Sequence, residues 1–519
     1  MLRQKNIRGD RMNVEKSPNW EEEFAERLNT QQWDSWKLYK MCYDVVKTNL
    51  ITEFTGLKSL KYLPNVTPLE HQLEAAQTVI ERMNGKAILA DEVGLGKTIE
   101  AGLILKEYLM RGLVKKALIL APASLVNQWS DELTSKFYIP AIPYRKNTSI
   151  EHTDILVMSM DTAKKSPHKE AIYAEAYDMI IIDEAHKLKN HKTKIYEFVQ
   201  SLKKKFCLLL TATPIQNDVF ELFNLISLLK PGHLGNFDVF QSSFKASKHD
   251  LENDEFLKEL VNQVMVRNRR QDTGIEWTTR KVHNIPVKFT KKEREVYDLI
   301  LQLKDISPVF SGSFSMITLQ KEMCSSKEAT CLTLENMMKN CNTKDEIAFV
   351  EEVIEQLMAL QTNAKAEKVL EIVRSAEDKV IIFTEYRATQ IFLQWFLHNN
   401  GITSVLFNGK YNKSKRDYMK YLFKEKAQVL IATEAGGEGI NLQFCHHIIN
   451  YDLPWNPMKL EQRIGRVHRL GQEHDVQIYN LAIADTIEQK ILDLLHLKID
   501  VFEKVVGELD DILTYKHPI

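Results

Sequence analysis

Residues 88–105 read ILADEVGLGKTIEAGLIL, an apolar strand pattern that runs into a glycine-containing turn and then into a helix pattern. A phosphate-binding loop has this plan, because N–H groups of a flexible turn and the N-terminus of a helix together hold phosphate oxygens. Gly94 and Gly96 supply the flexible backbone. The Lys97 ammonium is placed to neutralise phosphate, and the Thr98 hydroxyl is placed to hold Mg²⁺. The stretch therefore predicts an ATP site.

One position departs from the familiar loop pattern G-x-x-x-x-G-K-S/T, since Asp91 stands where that pattern has glycine. Carboxylates at Asp91 and Glu92 repel a triphosphate unless they face away from it or a metal ion intervenes. We therefore expect both side chains to point away from bound ATP. Taken alone, the stretch also fits a glycine turn that matches the pattern by chance.

A second carboxylate site follows the apolar run YDMIII, which leads directly into the tetrapeptide DEAH at residues 183–186. Ligands of parallel sheets bind at the carboxyl ends of the strands, so Asp183 is placed to hold Mg²⁺ and Glu184 to orient or deprotonate water. The next strand pattern ends in LLLTATPIQN, with Thr211 and Thr213 placed to sense the γ-phosphate. Solvated charges and a threonine-rich strand end are the alternatives.

The helix pattern EQRIGRVHRLGQ at residues 461–472 carries Gln462, Arg466 and Arg469 at i, i+4 and i+7, and so on one helix face. Two aligned guanidiniums suit arginine fingers on a γ-phosphate, whereas a solvated basic helix is the alternative. Upstream, ATEAGGEGINLQ follows an apolar run. Its glycines suit a close backbone approach to phosphate, of ATP or of a polynucleotide, or a plain tight turn. They are Gly436, Gly437 and Gly439.

Composition favours a globular protein of about two to four domains, given 519 residues with 44% hydrophobic and 27% charged side chains. The net charge of -1 excludes a global basic field, so a nucleic-acid partner requires local patches. The six cysteines have no C-x-x-C spacing, which indicates reduced thiols rather than a zinc site. No apolar run approaches a membrane span of about 20 residues, and we expect a cytoplasmic monomer.

Short apolar runs alternate with helix patterns from about residue 86, stop near residue 215, and resume near residue 379. This alternation predicts an α/β fold with two lobes, each a parallel sheet with helices on both faces, together with helical insertions and a helical N-terminal extension. The predicted boundaries are an extension at 1–58, a first lobe at 59–280, a helical linker at 281–360 and a second lobe at 361–519.

The motifs DEVGLGKT, LILAPASLVNQW, DEAH, LTATPIQN, VIIFTEY, ATEAGGEGINLQ and QRIGRVHRLGQ occur in the order seen in Swi/Snf-type ATPases of helicase superfamily two. The resemblance covers roughly residues 60–510 and is closest to the bacterial RapA/HepA-type branch. In this family the loop begins with Asp-Glu, so Asp91 is expected. The polymerase-associated members carry further N-terminal modules, whereas this chain has about 60 residues before TPLEHQ.

The resemblance implies two RecA-like lobes that bind ATP and Mg²⁺ between them and track along double-stranded DNA. It implies that Gln72 reads adenine, that Asp183 holds the metal and that Glu184 is the catalytic carboxylate, with Arg466 and Arg469 as fingers beside Gln462. The implied ATP-binding loop comprises Asp91, Glu92, Val93, Gly94, Leu95, Gly96, Lys97 and Thr98. The residues implied to couple hydrolysis to movement are His186, Thr211, Thr213, Gly437 and Gly439.

DNA contacts are expected on loops that follow strands, where phosphates are gripped without reading bases. The candidates are Ser124, Gln128, Ser159, Asp161, Lys164, Tyr386, Arg387, Lys410, Lys413 and Arg416, with Lys187, Lys189, Lys192 and Lys194 as further contributors. For each charged residue the alternative is a solvated surface side chain.

The function predicted is a DNA-dependent ATPase that translocates on double-stranded DNA in the nucleoid and displaces bound proteins, with RNA polymerase or another DNA-bound complex as partner. A strand-separating helicase and an ATP-gated DNA-binding scaffold are the alternatives.

Overall fold

The computed structural model describes residues 22, 25–26, 29, 35–49, 56–215, 219–243, 254–409, 411, 413–433, 440–510 and 512–513. The chain divides into two compact units, residues 1–57 and residues 58–519. The described part of the first unit contains helix α1 (Trp36–Asn49), which carries exposed aromatic rings, with Trp36 and Tyr39 stacked at 5.3 Å between ring centroids.

The second unit begins with a parallel sheet whose strands stand in the order β3-β4-β2-β5-β6-β1-β7. Its strands are β1 (Lys86–Leu89), β2 (Ala117–Ala121), β3 (Ile142–Pro143), β4 (Ile155–Ser159), β5 (Met179–Asp183), β6 (Phe206–Leu210) and β7 (Met265–Val266). Strands β2 and β6 are buried along their whole length. Continuous apolar runs of this kind suit parallel strands that are covered on both faces.

Helices connect these strands and cover the first sheet. They are α2 (Glu70–Glu81), α3 (Lys97–Met110), α4 (Val126–Phe137), α5 (Met160–Ala163), α6 (His168–Ala174), α7 (Lys194–Ser201), α8 (Val219–Leu229), α9 (Phe237–Ser243) and α10 (Asp254–Asn262). Three-residue to four-residue 3₁₀ turns lie at Ser59–Tyr62, Ala185–Leu188, Arg270–Thr273 and Pro308–Phe310.

A second parallel sheet has the order β10-β11-β9-β12-β13-β8. Its strands are β8 (Arg280–Val287), β9 (Val380–Thr384), β10 (Ser404–Phe407), β11 (Val429–Thr433), β12 (His447–Asn450) and β13 (Val476–Ile483). Its helices and those leading to it are α11 (Lys291–Ile306), α12 (Ser313–Ser325), α13 (Lys327–Met338), α14 (Lys344–Ala359), α15 (Ala364–Ala376), α16 (Arg387–Asn399), α17 (Lys413–Glu425), α18 (Pro457–Ile464) and α19 (Ile487–Val505).

These two parallel α/β lobes confirm the predicted fold class. One element differs from the predicted ranges: residues 280–287, placed at the boundary of the first lobe and the helical linker, form β8. This strand pairs with β13 along its full length, from Arg280 opposite Val476 to Val287 opposite Ile483. Seven of its eight residues are half-buried or exposed, because an edge strand has a neighbouring strand on one side only. Its pattern therefore lacked the apolar run of the central strands.

Among the described residues, no helix is long and apolar enough to span a membrane. The carboxyl ends of β1, β5 and β6 lie side by side in the first sheet, since β1 pairs with β6 and β6 with β5. This neighbourhood brings together the segments that follow Leu89, Ile182 and Leu210. Ligands of parallel sheets bind at such edges.

Candidate active site

A cavity of about 340 Å³ lies between the two sheets and takes side chains from both lobes. Its lining includes fifteen of the residues singled out from sequence, Val93, Gly94, Gly96, Lys97, Thr98, Ser124, Gln128, Asp183, Glu184, His186, Lys187, Thr211, Gln462, Arg466 and Arg469. The volume falls in the range of small-molecule sites. Gly437, Gly439 and Lys410 lie outside the described residues.

The loop between β1 and α3 curls around the Lys97 side chain. Its Nζ donates hydrogen bonds of 2.6 Å to the Asp91 carbonyl and 3.2 Å to the Glu92 carbonyl. Gly94 and Gly96 have φ values of 98° and 96°, a backbone region that favours glycine. A Cβ added at Gly96 would lie 2.5 Å from Gln72 Nε2. Glycine at position 96 is therefore required by both conformation and space.

Gln72 holds this loop from helix α2. Its Nε2 donates a 2.8 Å hydrogen bond to the Leu95 carbonyl, and its Oε1 accepts one of 3.0 Å from the Leu69 N–H. The neighbouring His71 Nε2 lies 3.1 Å from the same Leu95 carbonyl. Both side chains are buried. In this structure Gln72 thus contacts the phosphate-loop backbone.

The side chains of Asp91 and Glu92 bond to the segment that follows β7. Asp91 Oδ1 accepts 2.8 Å from the Asn268 N–H, and Asp91 Oδ2 accepts 3.0 Å from Asn268 Nδ2. Glu92 Oε2 accepts from the N–H of Arg270 at 3.1 Å and from its guanidinium at 3.2 Å. Both carboxylates are buried in these contacts, and their backbone carbonyls face Lys97. These two carboxylates therefore hold the phosphate loop to the segment that follows β7.

Asp183 and Glu184 stand side by side at the end of β5. Asp183 Oδ2 accepts a 2.8 Å hydrogen bond from Trp129 Nε1, and Asp183 Oδ1 accepts one of 2.8 Å from the Glu184 N–H. Burial and the adjacent Glu184 carboxylate raise the pKa of Asp183 to about 6. The pair therefore resists holding two negative charges without a cation nearby.

Glu184 differs from its neighbour in its surroundings. Its backbone is left-handed, with φ of 51°, and His186 Nδ1 lies 3.2 Å from its Oε2. Burial opposes ionisation, but His186, Lys97 and Arg466 outweigh it and hold the pKa of Glu184 below its ordinary value. Glu184 is thus ionised at neutral pH, as a group that orients or accepts a proton from water must be.

Two arginines of the second lobe line the cavity. Helix α18 ends at Ile464, so Arg466 and Arg469 lie in the turns that follow it, and the predicted single helix face from Gln462 to Arg469 is wrong. Arg469 Nε donates a 2.5 Å hydrogen bond to the Gly465 carbonyl, and a Cβ added at Gly94 would lie 3.3 Å from Arg469 Cγ. Burial, Arg466 and Arg270 lower the pKa of Arg469 to about 10, so it remains cationic at neutral pH. Arg466 and Gln462 line the same cavity. The arrangement brings cations of one lobe to the carboxylates of the other.

Thr211 and Thr213 lie just beyond β6 and are buried. The Thr211 N–H donates 3.0 Å to the Leu89 carbonyl, and its Oγ1 accepts 3.0 Å from the Thr213 N–H. Thr211 lines the cavity, whereas Thr213 does not. The Thr-rich end of this strand therefore adjoins the phosphate loop.

The candidate DNA contacts have several different locations. Ser124 and Gln128 line the cavity between the lobes, and Gln128 Nε2 donates 2.9 Å to Glu132 Oε1. Ser159 caps α5, where its Oγ accepts from the Thr162 N–H at 3.2 Å. The Lys164 ammonium pairs with Asp161 at 2.7 Å.

In the second lobe, Tyr386 is half-buried and Arg387 is exposed at the start of α16. Lys413 is the first residue of α17. Arg416 donates 3.2 Å hydrogen bonds to the carbonyls of Gly409 and Tyr411 and so holds its own loop.

Sequence reasoning missed two contributors to the site. Trp129 lies in the quoted motif PASLVNQW, but the hydrogen bond of its indole to Asp183 joins residues 54 positions apart. Arg270 lies in the run VRNRR. Three arginines within five residues are the sequence signal that could have pointed to it. Its guanidinium contacts Glu92 in the first lobe and Glu461 in the second.

A model of the SNF2-related domain matches residues 71–347, and a model of the helicase conserved C-terminal domain matches residues 364–471. The chain therefore belongs to the SNF2-related family, and it is a helicase-like ATPase.

Among named relatives, the "Uncharacterized ATP-dependent helicase YqhH" of Bacillus subtilis (strain 168) is 60% identical over 500 residues, covering 95% of this chain and 90% of that protein. The "RNA polymerase-associated protein RapA" of Stutzerimonas stutzeri (strain A1501) is 27% identical over 510 residues, covering 92% of this chain and 53% of that protein. The chain thus spans about half the length of RapA. These matches confirm the resemblance seen in the motifs.

Among solved structures, the Hef helicase domain of Pyrococcus furiosus superposes with a TM-score of 0.52 at 18% identity. The match covers 82% of this chain and 97% of that one. At this identity the likeness concerns the fold, and it supports the two-lobed helicase architecture.

Proposed function

We propose that this chain hydrolyses ATP to move along double-stranded DNA and to displace or remodel proteins bound there. The observation that carries the proposal is the shared cavity, lined by Lys97 and Glu184 of the first lobe and by Arg466 and Arg469 of the second. ATP bound between such groups holds the lobes together, and hydrolysis releases them. A cycle of closing and release moves the DNA-binding surface of one lobe relative to that of the other.

Nucleotide binding is proposed to rest on the loop from Asp91 to Thr98. Thr98 and Asp183 both line the cavity, and hydroxyl and carboxylate oxygens are the ligands that Mg²⁺ takes in nucleotide sites. These residues fit a magnesium ion, which when bound neutralises charge on the phosphates. The ionised Glu184 is proposed to orient the attacking water. Gln72 is proposed to read adenine, from a position where its amide also bonds to the Leu95 carbonyl of the loop.

Arg466 and Arg469 are proposed as arginine fingers, with Gln462 beside them. A cation that meets the transferred phosphoryl only in the closed state stabilises the transition state rather than the bound substrate. Five further residues are proposed to couple hydrolysis to movement. They are His186, Thr211, Thr213, Gly437 and Gly439.

The DNA grip is proposed to use backbone phosphates, since a net charge of -1 leaves only local cationic tracts for binding. Ser159 ends β4 and Lys164 follows it in the first lobe, and Arg387 is exposed after β9 in the second. Tyr386, Lys410 and Lys413 are proposed to extend the second grip. The RapA relative is named for association with RNA polymerase, which makes a DNA-bound polymerase the first partner to test.

The proposal is tested with three assays on one preparation: ATP hydrolysis with and without blunt duplex DNA, displacement of a triplex-forming strand, and unwinding of forked DNA. A translocase gives duplex-stimulated hydrolysis and triplex displacement without unwinding. Unwinding without triplex displacement identifies a strand-separating helicase. Stimulated hydrolysis with neither activity identifies an ATP-gated scaffold. Lys97→Ala serves as the control that removes hydrolysis.

A further inference from the structure

A buried cluster of charges lies behind the phosphate loop, where the chain crosses from the first sheet to the second. Among the described residues it has three arginines and three carboxylates, so its charges balance. Its members are Arg267, Arg270, Arg280, Glu92, Glu461 and Asp510. The crossing segment, residues 267–279, joins β7 to β8 and supplies two of the arginines.

Arg270 is the centre of this cluster, with a side chain that is 1% exposed. Its Nη1 donates 3.2 Å to Glu92 Oε2 and 2.8 Å to Asp510 Oδ2, and lies 3.4 Å from Glu461 Oε1. Its Nη2 donates to the Val93 carbonyl. One guanidinium therefore bonds to the phosphate loop, to the second lobe and to the C-terminal segment.

Glu461 lies in the last turn of α18, directly before Gln462, and the turn that carries Arg466 and Arg469 follows this helix. Arg280 holds its carboxylate through two bonds of 2.6 and 2.9 Å. Burial opposes ionisation, but Arg280 and Arg270 outweigh it and lower the pKa of Glu461 to about 2. The carbonyl of Glu461 accepts 2.8 Å from the Gly465 N–H, at the point where Gly465 meets Val93 of the phosphate loop.

The C-terminal segment, residues 507–510, follows α19 and lies along the crossing segment. The Arg267 guanidinium donates 2.7 Å hydrogen bonds to the Gly507 and Glu508 carbonyls. Arg269 pairs with the exposed Glu508 carboxylate. Asp510 is the one residue of this segment whose side chain bonds to Arg270 among the described contacts.

We propose that Arg270, held by Asp510, is a positioning residue that holds the phosphate loop and the turn after α18, which carries Arg466 and Arg469, in the relative position that hydrolysis needs. The inference deepens the proposed function and rests on it, since it takes the shared cavity as the ATP site. The C-terminal segment thereby becomes part of the ATPase mechanism, although it lies outside the cavity lining.

The relative position of the phosphate loop and the arginine fingers affects turnover more than nucleotide affinity. The phosphate loop itself keeps Lys97 and its glycines when Asp510 is changed, so binding of ATP in the first lobe is retained. The fingers act on charge that develops in the transition state, and a displacement of about 1 Å in such groups costs up to about a hundredfold in rate. A loosened Arg270 is therefore expected to lower kcat with little change in KM.

The test compares Asp510→Asn and Arg270→Lys with the wild-type chain, and uses Glu508→Gln as the matched control on the same segment. Asparagine keeps the shape of Asp510 and removes its charge, while lysine keeps the charge of Arg270 and removes its fork. The measurements are kcat and KM for ATP with saturating duplex DNA, with kcat expressed per nucleotide-binding site. That normalisation removes any effect of a smaller folded fraction.

We expect kcat per site to fall about tenfold or more in both variants with KM within about twofold, and to be unchanged in Glu508→Gln. Wild-type kcat per site in either variant overturns the inference, because it shows that the cluster only stabilises the fold. If duplex DNA fails to stimulate the wild-type chain, the proposed function fails. The inference is then decided by the same comparison on basal hydrolysis.

Discussion

The indole Nε1 of Trp129 donates a 2.8 Å hydrogen bond to Oδ2 of Asp183, and so fixes the carboxylate that faces the phosphate loop. Trp129 lies on α4 and is buried. Partners of this kind behind a metal ligand set its orientation and its affinity for the ion. The bond therefore links the first-lobe packing to the chemistry of the site.

Removing that bond tests its contribution. Trp129→Phe keeps an aromatic ring but loses the donor, and we expect about a tenfold rise in the Mg²⁺ concentration that half-saturates ATP hydrolysis. The measurement is a Mg²⁺ titration of the ATPase. Trp395→Phe, at a tryptophan that is 61% exposed on α16, is the control and is expected to match wild type. An unchanged titration in Trp129→Phe would contradict the role.

The contact of Gly465 with Val93 gives a second prediction. A Cβ at Gly465 would overlap Val93 Cγ1 and lie 2.8 Å from Val93 Cβ, although its φ of -64° suits alanine. Because alanine favours a helix over glycine by about 1 kcal/mol, Gly465→Ala should not weaken the second lobe itself. It should hinder closure of the lobes and lower kcat at least about tenfold.

The matched variant for this prediction is Gly312→Ala, where the nearest atom, Ser315 Oγ, would lie at an ordinary 3.6 Å. We expect wild-type kcat there. Adding Val93→Ala to Gly465→Ala removes the closest atoms and should restore part of the rate. Equal kcat for Gly465→Ala and wild type, measured by steady-state ATP hydrolysis, would show that the lobes do not close at this contact.

We predict that His468 contributes to the pH dependence of stability. Burial and the charges of Arg280 and Arg270 lower its pKa to about 4, and Arg280 Nε donates 2.9 Å to its Nδ1. The unfolded chain takes up this proton near pH 6.5, well above the folded pKa, so acid favours unfolding across that window. Lowering the pH from 7 to 5 should cost about 2 kcal/mol of unfolding free energy through His468.

The measurement for this prediction is denaturant unfolding at pH 7 and pH 5 for wild type and His468→Gln. Glutamine keeps hydrogen-bonding capacity but does not titrate. The pH-dependent loss should be smaller in the variant by about 2 kcal/mol. The same loss in both proteins would show that His468 is not buried in its neutral form.

Much of the fold was predictable because the decisive sequence features of each lobe lie within short contiguous stretches. The strand before the phosphate loop, the glycines at 94 and 96 and the helix from Lys97 are contiguous, so sequence spacing alone places them. The apolar runs of β2, β5 and β6 are typical of central parallel strands. These features depend on neighbours within a few residues.

The remainder depends on contacts between distant residues. Arg270 and Glu461 are 191 positions apart, and neither periodicity nor motif spacing shows that they meet. The orientation of Asp91 was expected from charge repulsion. Its partner Asn268 was not, since it lies 177 positions away in the segment that follows β7. Strand β8 was missed for a similar reason, because its pairing with β13 joins residues about 200 positions apart.

The central claim is that the two lobes share one ATP site, and Arg466→Ala tests it most directly. The measurement is the ATP hydrolysis rate with duplex DNA, beside nucleotide binding and the thermal unfolding midpoint, with Lys97→Ala as the first-lobe counterpart. We predict that Arg466→Ala stays folded, binds nucleotide and loses about a thousandfold or more in DNA-stimulated rate, as removal of an arginine finger does. A wild-type rate in Arg466→Ala would contradict the shared site.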